Sequence, residues 1–357
     1  MTVTSAMATQ TRSAAEIRDI RAKHPEMRAR DFARIHQISE GELVAAYVGQ
    51  GTTTAISADI EKLLSGLTGV GEIMALTRNE SCVSEKIGPV EKVHVSPHAA
   101  MVLGAQIDLR IFPKHWRHGY AIERTNDDGK VFRSLQFFDA QGNAVHKVHA
   151  RDATDLAKWN ALVAALTLAE QSDALVVEPA PAPEAKGGLV DVADLRTRWQ
   201  AMTDTHQVFG LLRELNLTRL EALRIIGPDF AWQLDHSAVA QLFNTAADAG
   251  VPIMAFVGNS GCTQIHSGVV KTIKPMGPWL NVMDETFHMH LRLDQIADVW
   301  VVRKPTEDGN LTSVEVFGAD GEVIIHLVGT RERKQPERQE WRALAEGLPV
   351  LEQARTA

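Results

Sequence analysis

The chain has 357 residues, 45% of them hydrophobic and 23% charged, ordinary values for a soluble globular protein; at roughly 150 residues per domain the length implies about two domains. With 37 Lys and Arg against 45 Asp and Glu, the net charge of −8 argues against a mainly electrostatic hold on nucleic acid or an anionic membrane surface. Cys82 and Cys262 are the only cysteines, too few for a disulfide scaffold and not spaced for structural zinc, which suits a reducing compartment.

The start, MTVTSAMATQTRS, has neither the basic opening nor the apolar stretch of a signal peptide. No later segment reaches the ~18 uninterrupted apolar residues of a membrane span. The expectation is a soluble, cytoplasmic protein without stable membrane insertion and without a nucleic-acid partner. Helical periodicity then runs from Ala15 to Ala46. GLTGVG, from Gly66 to Gly71, lacks the Lys-Ser/Thr ending of a phosphate loop and precedes a strand-like run, so it reads as a turn. His115 and His118 in KHWRH could share one face of a helix. RSLQFFDA and AVHKVHA follow as strands, with DDGK and AQGN as hairpin-turn material.

VVEPAPAPEAKGG, from Val176 to Gly188, alternates Pro and Ala before a glycine pair and reads as a semi-extended linker over 176–188. It separates pieces of nearly equal length, 14–175 and 189–357. The second piece repeats the first. EIMALTRNESCVSEKIG (Glu72 to Gly88) aligns with PIMAFVGNSGCTQIHSG (Pro252 to Gly268), and RTNDDGKVFRSLQFFDAQG (Arg124 to Gly142) with KPTEDGNLTSVEVFGADG (Lys304 to Gly321), at an offset of 180 slipping to 179. Two matching blocks in order point to internal duplication. The second half again opens helically, from Val192 to Ala249, and ends in strands around VWVVRK and SVEVFGA with EDGN and ADGE as turns. Helices first and a strand meander after predict an α+β fold of two tandem repeats, each a large antiparallel sheet flanked by helices.

His206, in TDTHQVFGLL, has the most informative local context. Asp204 is a good N-cap, Gln207 stands where a capping box needs it, and VFGLLREL continues as an apolar-faced helix. The ring therefore falls in the first helical turn, where the dipole disfavours the imidazolium and leaves a lone pair for a metal. Such a histidine is more often packed or solvent-facing, so both readings stay open. Arg219 on the expected second helix after the linker, Lys304 at a strand end and Arg331 after the last strand could clamp an anionic ligand or be solvated charges. His288 and His290 in FHMHLR would share one face of a strand, but no Cys pair or HExxH pattern supports zinc.

TDTHQVF, IDLRIFPKHW, SLQFFDAQGNAVHKV, IMAFVGN with GCTQIHSG, GPWLNVMDETFHMHLR and WVVRKPTEDG together resemble the HemS/ChuS/HmuS family of bacterial haem-utilisation proteins, often called hemin-degrading factors. The resemblance covers nearly the whole chain, apart from the first dozen residues and the linker. It implies one haem per chain, held mainly by the second half, with His206 as axial iron ligand through the DTHQ motif. The DLR motif makes Arg110 the distal residue, catalytic if the protein turns haem over and holding a water or polar ligand over the iron, in a first half that acts as a lid. Arg219, Lys304 and Arg331 match residues around the propionates, and Phe256 an apolar wall. Two departures stand out: Ile325 and His326 replace a Tyr and a Gln seen in several relatives, and Ser84 replaces a histidine that some carry in the first half. The repeat places the counterpart of His206 at about Met27, so the two halves differ chemically. The function implied is haem trafficking, haem degradation to release iron with an external electron donor, or both; a pure haem chaperone without turnover is the alternative. A haem importer and a downstream haem oxygenase are the partners implied.

Overall fold

The computed structural model describes residues 12–180, 190–332 and 335–351; residues 181–189, most of the expected linker, lie outside them. The first half runs α1 (Ala14–Ala22), α2 (Ala29–Ile35), α3 (Glu40–Ala45), β1 (Thr53–Ile56), α4 (Ile60–Leu67), β2 (Gly71–Arg78), β3 (Cys82–Pro89), β4 (Val93–Val95), β5 (Ala100–Leu103), β6 (Asp108–Ile111), β7 (His118–Thr125), β8 (Val131–Phe138), β9 (Ala144–Thr154) and α5 (Leu156–Leu166). The second half repeats that order: α6 (Val192–Gln200), α7 (Gln207–Glu214), α8 (Arg219–Ile226), β10 (Ala231–Gln233), α9 (Ser237–Ala249), β11 (Ile253–Gly258), β12 (Cys262–Gly268), β13 (Ile273–Met276), β14 (Trp279–Met283), β15 (Phe287–Arg292), β16 (Asp298–Thr306), β17 (Gly309–Phe317), β18 (Val323–Gly329) and α10 (Gln339–Glu346). The α+β architecture is as expected from the run order.

Each long helical stretch read from the sequence is several short helices, cut by strong local signals. Ser39 and Thr218 cap α3 and α8 through reciprocal boxes with Glu42 and Glu221, and such boxes start new helices. In the second half β10 also interrupts the run before α9. His115 and His118 do not share a helix: Pro113 confines the first to a single 3-10 turn, and the second opens β7.

The two nine-stranded antiparallel sheets are not the two halves. One runs β1-β7-β8-β9-β2-β3-β15-β14-β13 and the other β10-β16-β17-β18-β11-β12-β6-β5-β4. Each half thus lends its three-stranded β4–β6 or β13–β15 meander to the other half's sheet. β6 pairs with β12 in the register Cys262↔Ile111 to Ile265↔Asp108, and β15 pairs with β3 from Phe287↔Lys86 to Leu291↔Cys82. The cores are shared accordingly. α9 and Trp341 pack with Ala255, Val301 and Leu327 of the second-half sheet and also with Leu280, Met289 and Leu291 of the lent strands. Pulling the halves apart would expose both cores.

Along the seam, positions touch their own repeat mates, as a two-fold axis requires. Gln264 donates to the Ser84 carbonyl at 2.8 Å, and Lys86 Nζ lies 3.2 Å from His266 Nδ1. Asn79 Nδ2 donates to the carbonyls of Gly258 and Ile324, and Asn259 Nδ2 to those of Arg78 and Val145. Each of these asparagines also accepts two backbone N–H groups of its own hairpin, so both side chains are saturated.

Candidate functional site on the second-half sheet

Antiparallel partners share a sheet face, so the registers define what the outer face of the second-half sheet presents. One row reads Trp300, Glu315, His326, Phe256, Ile265 and Asp108; the next contains Gly258, Thr263 and Arg110. α6–α8 cover the β10–β16–β17 end of this face, packing Leu195, Trp199, Leu211 and Leu223 against Trp300, Val302 and Phe317. Phe256 and Arg110, on β11 and β6, lie beyond that cover. Arg110 therefore does not come on a lid: the lent strand builds it into the same sheet as Phe256. Its guanidinium bonds Asp108 and the Leu109 carbonyl.

His206 sits at the start of α7 with its side chain 83% exposed. α7 begins at Gln207, with His206 in the N-cap position and no side-chain cap, so Asp204 braces the turn before the helix and does not cap it as the sequence suggested. Asp204 Oδ1 accepts the His206 backbone N–H at 2.7 Å, and Gln207 Oε1 accepts the backbone N–H groups of Thr203 and Asp204. The same Asp204 oxygen lies 2.7 Å from His206 Nδ1. A carboxylate only accepts, so Nδ1 carries the proton and the Nε2 lone pair is the open one. These bonds hold the Asp204 carboxyl below the usual range, with Arg331 adding to the effect. Asp204 thereby orients the ring, as a carboxylate behind a metal-bound histidine does. Thr203 O accepts from Glu307 N at 3.0 Å, tying the α6–α7 loop to the β16–β17 turn.

Beneath the helices lies a charge cluster of which the sequence showed only the cations. Arg219, which opens the third rather than the second helix of its half, forks onto Glu315 with Nε and Nη2 at 2.5 and 2.6 Å. Lys304 Nζ bonds the same carboxylate and Ser313 Oγ, and Ser313 Oγ donates to Glu315 at 3.0 Å. Lys304 is 2% exposed and Glu315 fully buried. Burial opposes charge on both, pushing Lys304 down to about 8; Arg219 and Lys304 nevertheless hold Glu315 well below the ordinary carboxylate range. His326 Nε2 is buried without a partner, 3.8 Å from Glu315, and its ring lies 5.4 Å from that of Phe256. Burial and the two cations push the His326 imidazole well below its usual value, so it is neutral. Glu315 and His326 were missed as a unit. The alternation SVEVF puts Glu315 on the Trp300 side, but no sequence signal says which cations meet it.

The remaining histidine pairs do not form a metal centre. His288 and His290 share the outer face of the first-half sheet, with Nδ1 atoms on Glu85 at 3.2 Å and Asn281 at 2.6 Å; among the described residues no three His, Cys, Asp or Glu groups converge on a metal. A cleft of about 1150 Å³ opens between α2–α3 and the second-half turns. Arg30, Arg34, Arg78, Asp294, Asp320 and Glu322 line it with mixed charge, and none of the sequence-predicted site residues does. Ile38, Ile296, Val323 and Ile324 line it as well.

The family model described as the haemin-degrading HemS.ChuX domain matches the chain twice, at residues 37–166 and 216–348. The hemin transport protein HmuS of Yersinia pestis is 41% identical over 323 residues, 90% of this chain and 93% of the relative; the hemin transport protein HemS of Yersinia enterocolitica matches to the same extent. The crystal structure of holo-PhuS, a heme-binding protein from Pseudomonas aeruginosa, superimposes with a TM-score of 0.92 at 44% identity, over 95% of this chain and all of that one. ChuS of Escherichia coli O157:H7, described as a heme degrading enzyme, gives 0.85 at 37% identity, over 94% of this chain and 98% of that one.

Proposed function

We propose that this chain, which belongs to the haemin-degrading HemS/ChuX family through both of its halves, binds one haem on the outer face of the second-half sheet and carries it in bacterial haem use, with His206 as the iron ligand. The observation that supports this most is the pairing of β6 with β12, which brings Arg110 onto the face that presents Phe256 and His326, the same face that α6–α8 cover at its other end. The face suits haem in three respects. Nε2 of His206 is open and its tautomer fixed. Phe256 beside the neutral His326 ring makes an aromatic wall. Arg219 keeps donors beyond those used on Glu315, and Arg331 lies in the field of Asp204, so propionates find charge-assisted partners.

Each residue then has a task. His206 binds and orients, Phe256 excludes water from one side, Arg219 and Arg331 hold the propionates, and Lys304, buried on Glu315 and Ser313, positions the carboxylate behind Arg219. Arg110 stays protonated and is a poor direct ligand; it donates to a water or polar ligand on the sheet side. Haem itself supplies redox chemistry when bound and reduced by an external donor, and the presence of Arg110 on the sheet side favours a second reading, in which the protein also opens the macrocycle. A haem importer would deliver the ligand and a haem oxygenase would receive it, in the cytoplasm, where the unpaired buried thiols Cys82 and Cys262 remain reduced. No helix among the described residues is long and apolar enough to cross a membrane.

Hemin titration followed at the Soret band tests the binding. The wild type gains a ligated spectrum that His206→Ala loses; equal spectra for the two would overturn the assignment. Incubating the haem complex with a reductant and catalase under air separates carriage from turnover: a persistent Soret band means carriage, an open-chain tetrapyrrole means an enzyme.

A further inference from the structure

Three of the buried side-chain polar atoms that lack a hydrogen-bond partner among the described residues are histidine nitrogens, Nε2 of His36, His266 and His326. A polar atom left unmet in a dry place costs free energy, so each invites a reason. His326 differs from the other two in having a carboxylate within ion-pair reach. Glu315 Oε1 stands 3.8 Å from its Nε2, too far for a hydrogen bond. That oxygen is already full: Oε1 accepts from Arg219 Nη2 at 2.6 Å, from Ser313 Oγ at 3.0 Å and from Lys304 Nζ, while Oε2 accepts from Arg219 Nε at 2.5 Å.

The charges that face the ring come from three elements. Arg219 on α8 and Lys304 on β16 oppose a proton on it, Arg219 more strongly, and Glu315 on β17 favours one. From β11 it meets only the uncharged Phe256 ring, at 5.4 Å. Two cations against one anion leave the cluster positive, and the ring stays neutral in the free protein. Haem arrives with two carboxylates. One held on the outer donors of Arg219 cancels that surplus, and it does so at the very charge that acts hardest against the proton. A unit charge about 6 Å away in a dry site moves a pKa by about two units. Nε2 is already out of water, so covering the face adds little to the cost of charging the ring.

We infer that haem binding charges His326: as a carboxylate of the ligand settles on Arg219, the imidazole takes up one proton from solvent, both of its nitrogens become donors, and Nε2 closes onto Glu315. This rests on the haem reading above and adds regulation to it, since loading then consumes a proton and is favoured by acid. The glutamine that several relatives carry at this position cannot take up a proton, so the coupling belongs to this chain. His326 has a higher pKa in the complex than in the free protein. By linkage, affinity falls as pH rises between the two values, by at most about tenfold per unit, and is level above the higher one.

Calorimetric titration with hemin at about pH 6.5, in two buffers of different ionisation enthalpy, counts the protons taken up. The wild type should take up as much as about one proton more per hemin than His326→Gln. With hemin dimethyl ester, whose carboxyl groups carry no charge, the wild type should fall to the uptake of the variant; this arm needs no substitution and so does not depend on how the variant folds. The ratio of hemin dissociation constants, variant over wild type, should grow as pH is lowered from about 8 to about 6, whereas titration of His206 affects both proteins alike and cancels. Equal uptake by wild type and variant, or uptake undiminished with the ester, while His206→Ala loses the ligated spectrum, overturns the coupling and leaves the haem reading standing. If His206→Ala keeps the wild-type spectrum, both fall.

Discussion

The two halves place different chemistry on matching ground. In the second half, Glu315 on β17 pairs across to His326, and His326 across to Phe256; in the first, Gln136 pairs to Lys147, and Lys147 to Leu76. Arg219 and Glu40 follow the matching caps Thr218 and Ser39. The second-half anion thus stands on the sheet and receives a helix arginine. The first-half anion stands on the helix, and Glu40 receives Arg78 at 2.7 Å and Lys147 at 3.1 Å from the sheet. The repeat mate of Arg78 is Gly258, so the first half fills with a guanidinium the spot that the second leaves bare. Met27, the mate of His206, packs among Ile17, Phe32 and Leu43. Duplication preserved the frame and the demand for a helix-to-sheet ion bridge, and one copy became a brace while the other stayed an open face.

Removing the anion from each bridge is the sharpest way to break this comparison. Glu315→Ala strands two buried cations and should cost about 3–5 kcal/mol, read from urea unfolding. Glu40 and Lys147 lie nearer to water than Glu315 and Lys304, while the two arginines are equally covered, so Glu40→Ala should cost about 1.5–3 kcal/mol. Equal losses would mean that the clusters are equally buried in effect.

Acid should act next most strongly, and unevenly. Burial depresses His146 and His266 to about 3 and His149 to about 4. A depressed folded-state pKa means that the stability is complete above pH ~6.5, where the unfolded groups are also neutral, and is lost as pH falls toward 4 and then 3. Each group costs about 1.4 kcal/mol per pH unit below 6.5, so the three together should remove about 4 kcal/mol at pH 5.5. The mates of His146 and His149 in the second half are Ile325 and Val328, which do not titrate, so β9 carries two depressed histidines against one on β18, His326. Hydrogen exchange at pH 5.5 should therefore release β8 and β9 before β17 and β18; simultaneous release would deny the asymmetry.

Where the halves are alike, matched variants should behave alike. Asn79→Ala and Asn259→Ala each remove two donated and two accepted bonds at the seam, and both should lose about 2 kcal/mol, to within the error of a calorimetric scan. A gap above 1 kcal/mol would show that the seam is not two-fold in energy. The smallest effect on the fold belongs to the ligand site: Asp204→Ala frees the His206 ring without touching Nε2, and should change the melting temperature little while it weakens hemin binding about 10- to 100-fold.

The duplication, the strand meander and the turn that joins Asp204 to His206 were legible because each is written in local sequence: matched blocks, alternation, a DTHQ turn. The strand exchange was not. Whether β6 pairs with β3 or with β12 depends on two equally apolar partners in duplicated segments, and local pattern carries no preference between them. For the same reason Arg110 read as part of a lid. Arg219 and Lys304 were identifiable as cations but not as a pair tied to Glu315, because their shared anion lies 96 and 11 residues away and only the fold brings all three together.

The central claim is that haem occupies the second-half face and leaves its first-half counterpart alone. Hydrogen exchange with one equivalent of hemin measures this directly. The account predicts added protection at the start of α7 and along β11 and β18, with α2, β2 and β9 unchanged. Equal protection of both halves, or protection confined to the first, would contradict it.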